Sequence, residues 1–185
     1  MRDTIQSAAI VETMQLDIEV LGVCFSSCAN YVVPAARSVS VAPFSAIVLH
    51  GGPDRDPLAL RRQLRAALEQ AGAPASAQDD LVEREVARAF ELRALHDRFS
   101  IRNGLSQGWF DLPVSTERME DAGAGVQLAA VTASSPAFLA ACRPNVEIVR
   151  FWYPADREAA RSLEAMLELG PVRFLGLDRP EHPDC

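Results

Sequence analysis

Residues 17–25, DIEVLGVCF, form a β-branched apolar run that ends at glycine and cysteine, and residues 45–50, SAIVLH, form a second. Between them ANYVVPAA has the spacing of a short helix, from about Ser26 to Pro34, where proline and small residues stop it. Strand, helix and strand in this order favour two adjacent parallel strands with a helix packed over them, which makes the chain α/β.

The alternation continues on both sides. Residues 4–15 place Ile5, Ala8, Ala9 and Val11 near helical spacing, and GGPDRDP closes the second strand as a loop. PLALRRQLRAALEQAG, residues 57–72, has proline in its first turn and glycine at its far end, which are matching helix start and stop signals. DDLVEREVARAFELRALHDRF opens after SAQD, a capping sequence, and keeps Leu81, Val82, Val86, Phe90, Leu92, Leu95 and Phe99 close to one stripe, with its charges on a solvated face. The tail reads strand (VQLAAV), helix (SPAFLAAC), strand (NVEIVRFWY), helix (DREAARSLEAMLELG) and strand (VRFLG). A composition break at AGAG, residues 122–125, divides a core over residues 1–125 from a small C-terminal α/β extension over residues 126–185.

Charge and composition exclude several functions. The net charge of −7, without any basic run, argues against nucleic acid and against a polybasic membrane contact. All 18 basic residues are arginine, so Schiff-base chemistry, a P-loop lysine and a Ser-Lys dyad are ruled out. No apolar run is long enough to span a bilayer, and the first residues, MRDTIQSAAIVETMQ, lack the pattern of a secretory signal. No cofactor is expected.

The stretch GVCFSSCANYVV, residues 22–33, sits where the first strand turns into the helix. Backbone N–H groups and the helix dipole at such a corner favour a developing negative charge, so a serine there can act as a nucleophile if a base is near. His50 ends the next strand, 24 residues after Ser26, and parallel strands would bring the two together. The bland alternative is that small residues permit close packing and that the histidine is merely hydrogen-bonded. Cys24 and Cys28 are near enough in sequence for a disulfide or are two buried thiols; with His50 they make only an incomplete zinc set. No metal site is expected.

The segment AIVETMQLDIEVLGVCFSSCANYVVPAARSVSVAPFSAIVLHGGP resembles the central part of the proteolytic subunit of Clp protease and its relatives, which share the crotonase-like fold of stacked ββα units. It is also similar to bacterial proteins of predicted periplasmic type that carry cysteine, small residues, serine, cysteine and alanine here, then a strand ending in histidine. The likeness covers roughly residues 8–53, and PVSTERMEDAGAGV resembles a later helix-then-glycine segment of the same fold. It implies Ser26 as nucleophile, His50 as base and the backbone N–H of Ser27 as an oxyanion donor; a peptide or acyl substrate; trimers or larger rings; and a periplasmic location.

Three departures bear on activity. The family has a strand and a glycine-rich loop before the first helix, the loop supplying one oxyanion donor, whereas this chain begins inside that helix, as a truncated gene or gene model would. The orienting aspartate has no clean counterpart: alignment lands near Gln107, with Asn103 or Asp111 as substitutes. Ser27 and Cys28 crowd the positions after the serine, and Ser27 is itself an alternative hydroxyl.

A second catalytic reading uses SAIVLHGGP as an HGG oxyanion segment and GLSQG, residues 104–108, as G-x-S-x-G, with Ser106 as nucleophile and His182 as base of an α/β-hydrolase. Its elbow should follow a strand, yet ALHDRFSIRN reads as a helix end; GLSQG then is a loop capped by Gly104. His96 and His182 otherwise read as surface residues. The expectation is a crotonase-like α/β core, incomplete at its N-terminus, of a degenerate or truncated serine-hydrolase type that uses the corner for packing or binding. The alternative is an active serine peptidase or acyl hydrolase with Ser26, His50 and Asp111.

Overall fold

The computed structural model describes residues 2–50, 56–110, 131–167 and 172–178. The chain opens with helix α1 (Arg2–Thr13), whose Ala8 and Val11 are buried and whose Ile5 packs beside them, one face at helical spacing. The chain leaves it through a turn at Gln15, which takes a left-handed φ of 51°.

DIEVLGVCF is two strands, not the single one its composition suggests. β1 (Asp17–Val20) and β2 (Val23–Phe25) belong to different sheets, separated by a corner at Gly22. Gly22 has φ +88°, with no heavy atom within 4 Å of where a Cβ would stand, so backbone conformation and not space calls for glycine. The buried Ser45 fastens the corner: its Oγ accepts the Gly22 N–H at 2.8 Å, and the Gly22 carbonyl accepts the Ala46 N–H at 2.8 Å.

A helical segment follows β2 and ends in α2 (Val33–Ala35). Next comes β3 (Ser38–Val41), a strand absent from the expected elements. Its sequence, SVSV, carries no apolar run, and its place is fixed by long-range pairing: β3 lies between β1 and β6 (Glu147–Phe151), parallel to both. At its start, Asp17 accepts from the Arg37 guanidinium and, at 2.7 Å, from Ser38 Oγ, contacts that hold the Asp17 carboxyl below the usual carboxylate range.

The second sheet runs β2, β4 (Ala46–Leu49), β5 (Val131–Ala133), β7 (Val172–Phe174); among the described residues its β4–β5 pairing is antiparallel and the other two are parallel. All four residues of β4 are buried, as an unbroken AIVL requires of a strand covered on both faces. Ile47 and Leu49 enter the larger core with Tyr31, Phe99, Trp109 and Phe138, while Ala46 and Val48 enter a smaller one with Val131, Phe174 and Leu163 of α6 (Arg157–Leu167).

Helix α3 (Pro57–Gln70) buries none of its residues and lies along the 28-residue α4 (Ala75–Arg102), fastened by Arg61–Glu83 and Arg65–Asp79, each at 2.8 Å. α4 starts before the expected SAQD cap, from Pro74, with no side-chain cap. α5 (Pro136–Cys142) does begin with a cap, Ser135 Oγ accepting the Phe138 N–H at 3.0 Å. The boundary expected at residues 125 and 126 lies outside the described residues; β5, β6 and β7 share their sheets with β1 to β4. The fold is mixed α/β, and no helix among the described residues is long and apolar enough to cross a membrane.

Candidate active site

The site is built where β2 stops. Phe25 is the last β2 residue in register with β4, opposite Val48, and the Ser26 N–H extends the ladder by one bond to the Val48 carbonyl at 3.3 Å. Ser26 then turns the chain with φ +57°. Ser27 is already helical (φ −60°, ψ −33°), and the Ser26 carbonyl accepts the Asn30 N–H at 2.8 Å. A non-glycine residue in this left-handed basin costs about 1–2 kcal/mol and persists only where its surroundings over-determine it.

Two features hold the turn. Cys24 and Cys28 are joined by a disulfide, with Cα atoms 5.3 Å apart, which ties the strand end to the first helical turn. Their sulfurs therefore cannot serve as zinc thiolates, which removes the zinc set suggested by residue type, and no metal-binding cluster occurs among the described residues. Helix Cys28–Val32 is wound wide, the Val33 N–H bonding to the Cys28 carbonyl five residues back. Pro34 supplies the reason: it has no N–H to give Asn30, and its ring crowds that carbonyl, so the turn before it opens.

Because β2 and β4 are parallel, their C-terminal ends lie together. Ser26 Oγ is 2.8 Å from His50 Nε2, at the exposed end of β4. The Phe25 and His50 rings meet in a T-shaped arrangement, centroids 5.7 Å apart. With the ring proton on Nδ1, the serine hydroxyl donates to Nε2, the arrangement in which a histidine can remove that proton. Ser27 opens the helix, where first-turn N–H groups lack intrahelical acceptors and face a developing negative charge favourably.

The other named residues lie elsewhere. Asp111, His182 and the two glycines of HGG lie outside the described residues. Asn103 is buried at the end of α4, where its Nδ2 donates to the Phe99 carbonyl at 3.1 Å, so its amide caps its own helix. Gln107 begins a 3-10 turn. Ser106 follows the α4 cap at Gly104 (φ +61°) and not a strand; its buried Oγ has no hydrogen-bond partner among the described residues. The strand-to-helix elbow that G-x-S-x-G needs is thus formed at Ser26 and not at Ser106.

His96 corrects another expectation. It is 4% exposed, not a surface residue, and its Nδ1 lies 3.2 Å from Tyr31 Oη, with Phe110 4.0 Å away ring to ring. Burial pushes the Tyr31 phenol up to about 12. Tyr31 belongs to helix Cys28–Val32, which follows Ser26 and Ser27, so this pair couples that helix to α4. The signal was present in the sequence: His96 shares a helical stripe with Val82, Val86, Phe99 and Asn103, all buried.

In comparisons with known proteins, the chain matches no family model, no curated protein and no solved structure.

Proposed function

We propose that the chain is a serine hydrolase of acyl or peptide bonds, built on a fold of the crotonase-like type. The observation that carries this reading is the 2.8 Å approach of Ser26 Oγ to His50 Nε2 on a left-handed elbow. In the reaction, His50 takes the hydroxyl proton as Ser26 attacks the carbonyl carbon. The oxyanion faces the Ser27 N–H at the helix start. Collapse expels the leaving group, which takes the proton back from His50; water, activated by the same imidazole, then hydrolyses the acyl-enzyme. Asp111 is the residue we assign to orient His50.

The succession β1, β2, helix and then β3, β4, helix, with each strand pair divided between two sheets, supports the crotonase-like assignment. The Cys24–Cys28 disulfide supports an oxidising compartment such as the periplasm. The 2.8 Å pair favours catalysis over the reading of a packing or binding corner, for which neither a left-handed serine nor an adjacent imidazole is needed.

Turnover of a chromogenic acyl ester and of a mixed peptide library tests the proposal. Hydrolysis that Ser26→Ala abolishes and that Asp111→Asn lowers by up to about 10⁴-fold supports it. A folded sample that turns over neither, at any pH, supports a non-catalytic corner instead.

A further inference from the structure

We infer that Cys24 and Cys28 are positioning residues whose disulfide holds Ser26 against His50, so that the site is active when oxidised and silenced when a dithiol reduces it. This rests on the hydrolase reading above and adds its regulation. The bridge is centred on the nucleophile, two residues before it and two after. Five residues of extended strand would separate their end Cα atoms by about 13 Å, beyond the reach of a disulfide. The observed 5.3 Å is met only if the chain folds back between them, and the fold-back occurs at Ser26, φ +57°. Bridge and elbow are therefore one constraint. Ser26 Oγ depends on it for its direction, since the residues on either side belong to two elements, strand β2 and a helix, that the disulfide joins.

Access is asymmetric. Cys24 is 2% exposed, opposite Ile47 in the sheet, whereas Cys28 is half-buried on the first helical turn. A thiolate of a dithiol reductant attacks Cys28 Sγ, breaking the Sγ–Sγ bond and releasing Cys24 as a thiol after protonation. The reductant's second thiolate then displaces Cys28 and closes its own disulfide. Two electrons and two protons pass to the protein, leaving two thiols and one oxidised dithiol. Without the bridge, Ser26 relaxes from its left-handed conformation, and Oγ leaves His50.

The test equilibrates the full chain in buffers of reduced and oxidised dithiothreitol and reads three quantities together. These are fluorophosphonate labelling of Ser26, alkylation of Cys24 and Cys28 by peptide mass, and the ring-proton NMR signal of His50. Labelling should fall about a hundredfold, the effect of misplacing a reacting group by about 1 Å, at the same midpoint at which the two thiols appear. The His50 signal should shift with them. Cys142 is also disulfide-bonded, so a Cys24→Ala, Cys28→Ala double variant isolates this bridge; it should label slowly and indifferently to the buffer. Undiminished labelling while both thiols are alkylated overturns the inference. If the oxidised protein does not label at all, the hydrolase reading fails, and the His50 signal alone decides the positioning: shifted supports it, unshifted overturns it.

Discussion

Tyr31 Oη and His96 Nδ1 lie 3.2 Å apart inside the larger core, joining helix Cys28–Val32 to α4. Tyr31→Phe removes this side-chain hydrogen bond from the core, a loss of about 0.5–1.5 kcal/mol in unfolding free energy. Denaturant unfolding of the two proteins measures it.

The same pair sets an alkaline limit. Burial raises the Tyr31 phenol from its ordinary value of 10.0 to about 12. Between these values the unfolded chain ionises while the folded chain stays protonated. The stability that depends on a neutral Tyr31 is thus complete below the unfolded value and is lost as pH rises toward the folded one. Lysine is absent from the sequence, so no ammonium titration overlaps this window. Thermal unfolding followed from pH 9 to 12 should show a decline that is smaller in Tyr31→Phe.

At the Gly22 corner, Gly22→Ala meets no steric obstacle, yet it must hold φ +88°. The expected cost is about 1 kcal/mol or more. Ser45→Ala, which strands the Gly22 N–H, should cost about 1–3 kcal/mol, and thermal melts compare the two.

That corner also explains what was legible. The parallel relation of the DIEVLGVCF and SAIVLH segments, and the meeting of Ser26 with His50, follow from apolar runs ending at those residues. The split of the first run between two sheets does not, because one glycine inside an apolar run gives no measure of how far the chain bends. β3 was illegible for a different reason: SVSV becomes a strand through its neighbours β1 and β6, one of them more than a hundred residues away. His96 reads as exposed in the sequence because charged neighbours mask its place on the buried stripe. For Cys24 and Cys28, spacing alone left bridge and free thiols open; the turn at Ser26 decides it by bringing the Cα atoms to 5.3 Å.

Strain at the elbow gives a stability signature independent of activity. Ser26→Gly and Ser26→Ala both remove Oγ, but only glycine adopts φ +57° freely. Ser26→Gly should be the more stable of the two by about 1 kcal/mol, read from denaturant midpoints at equal slope.

His50→Gln removes the base that takes the Ser26 proton, so the labelling rate should fall by about 10²–10⁴-fold. Rapid-mixing measurements on the two proteins compare the rates.

The most direct test is intact-mass and peptide mapping of the adduct formed with a fluorophosphonate under oxidising conditions. One adduct per chain, on the peptide containing Ser26, absent in Ser26→Ala and retained in Ser27→Ala and Ser106→Ala, is the expected result. An adduct that persists in Ser26→Ala, or a folded oxidised protein that forms none, would contradict the assignment of Ser26 and His50 as a catalytic pair.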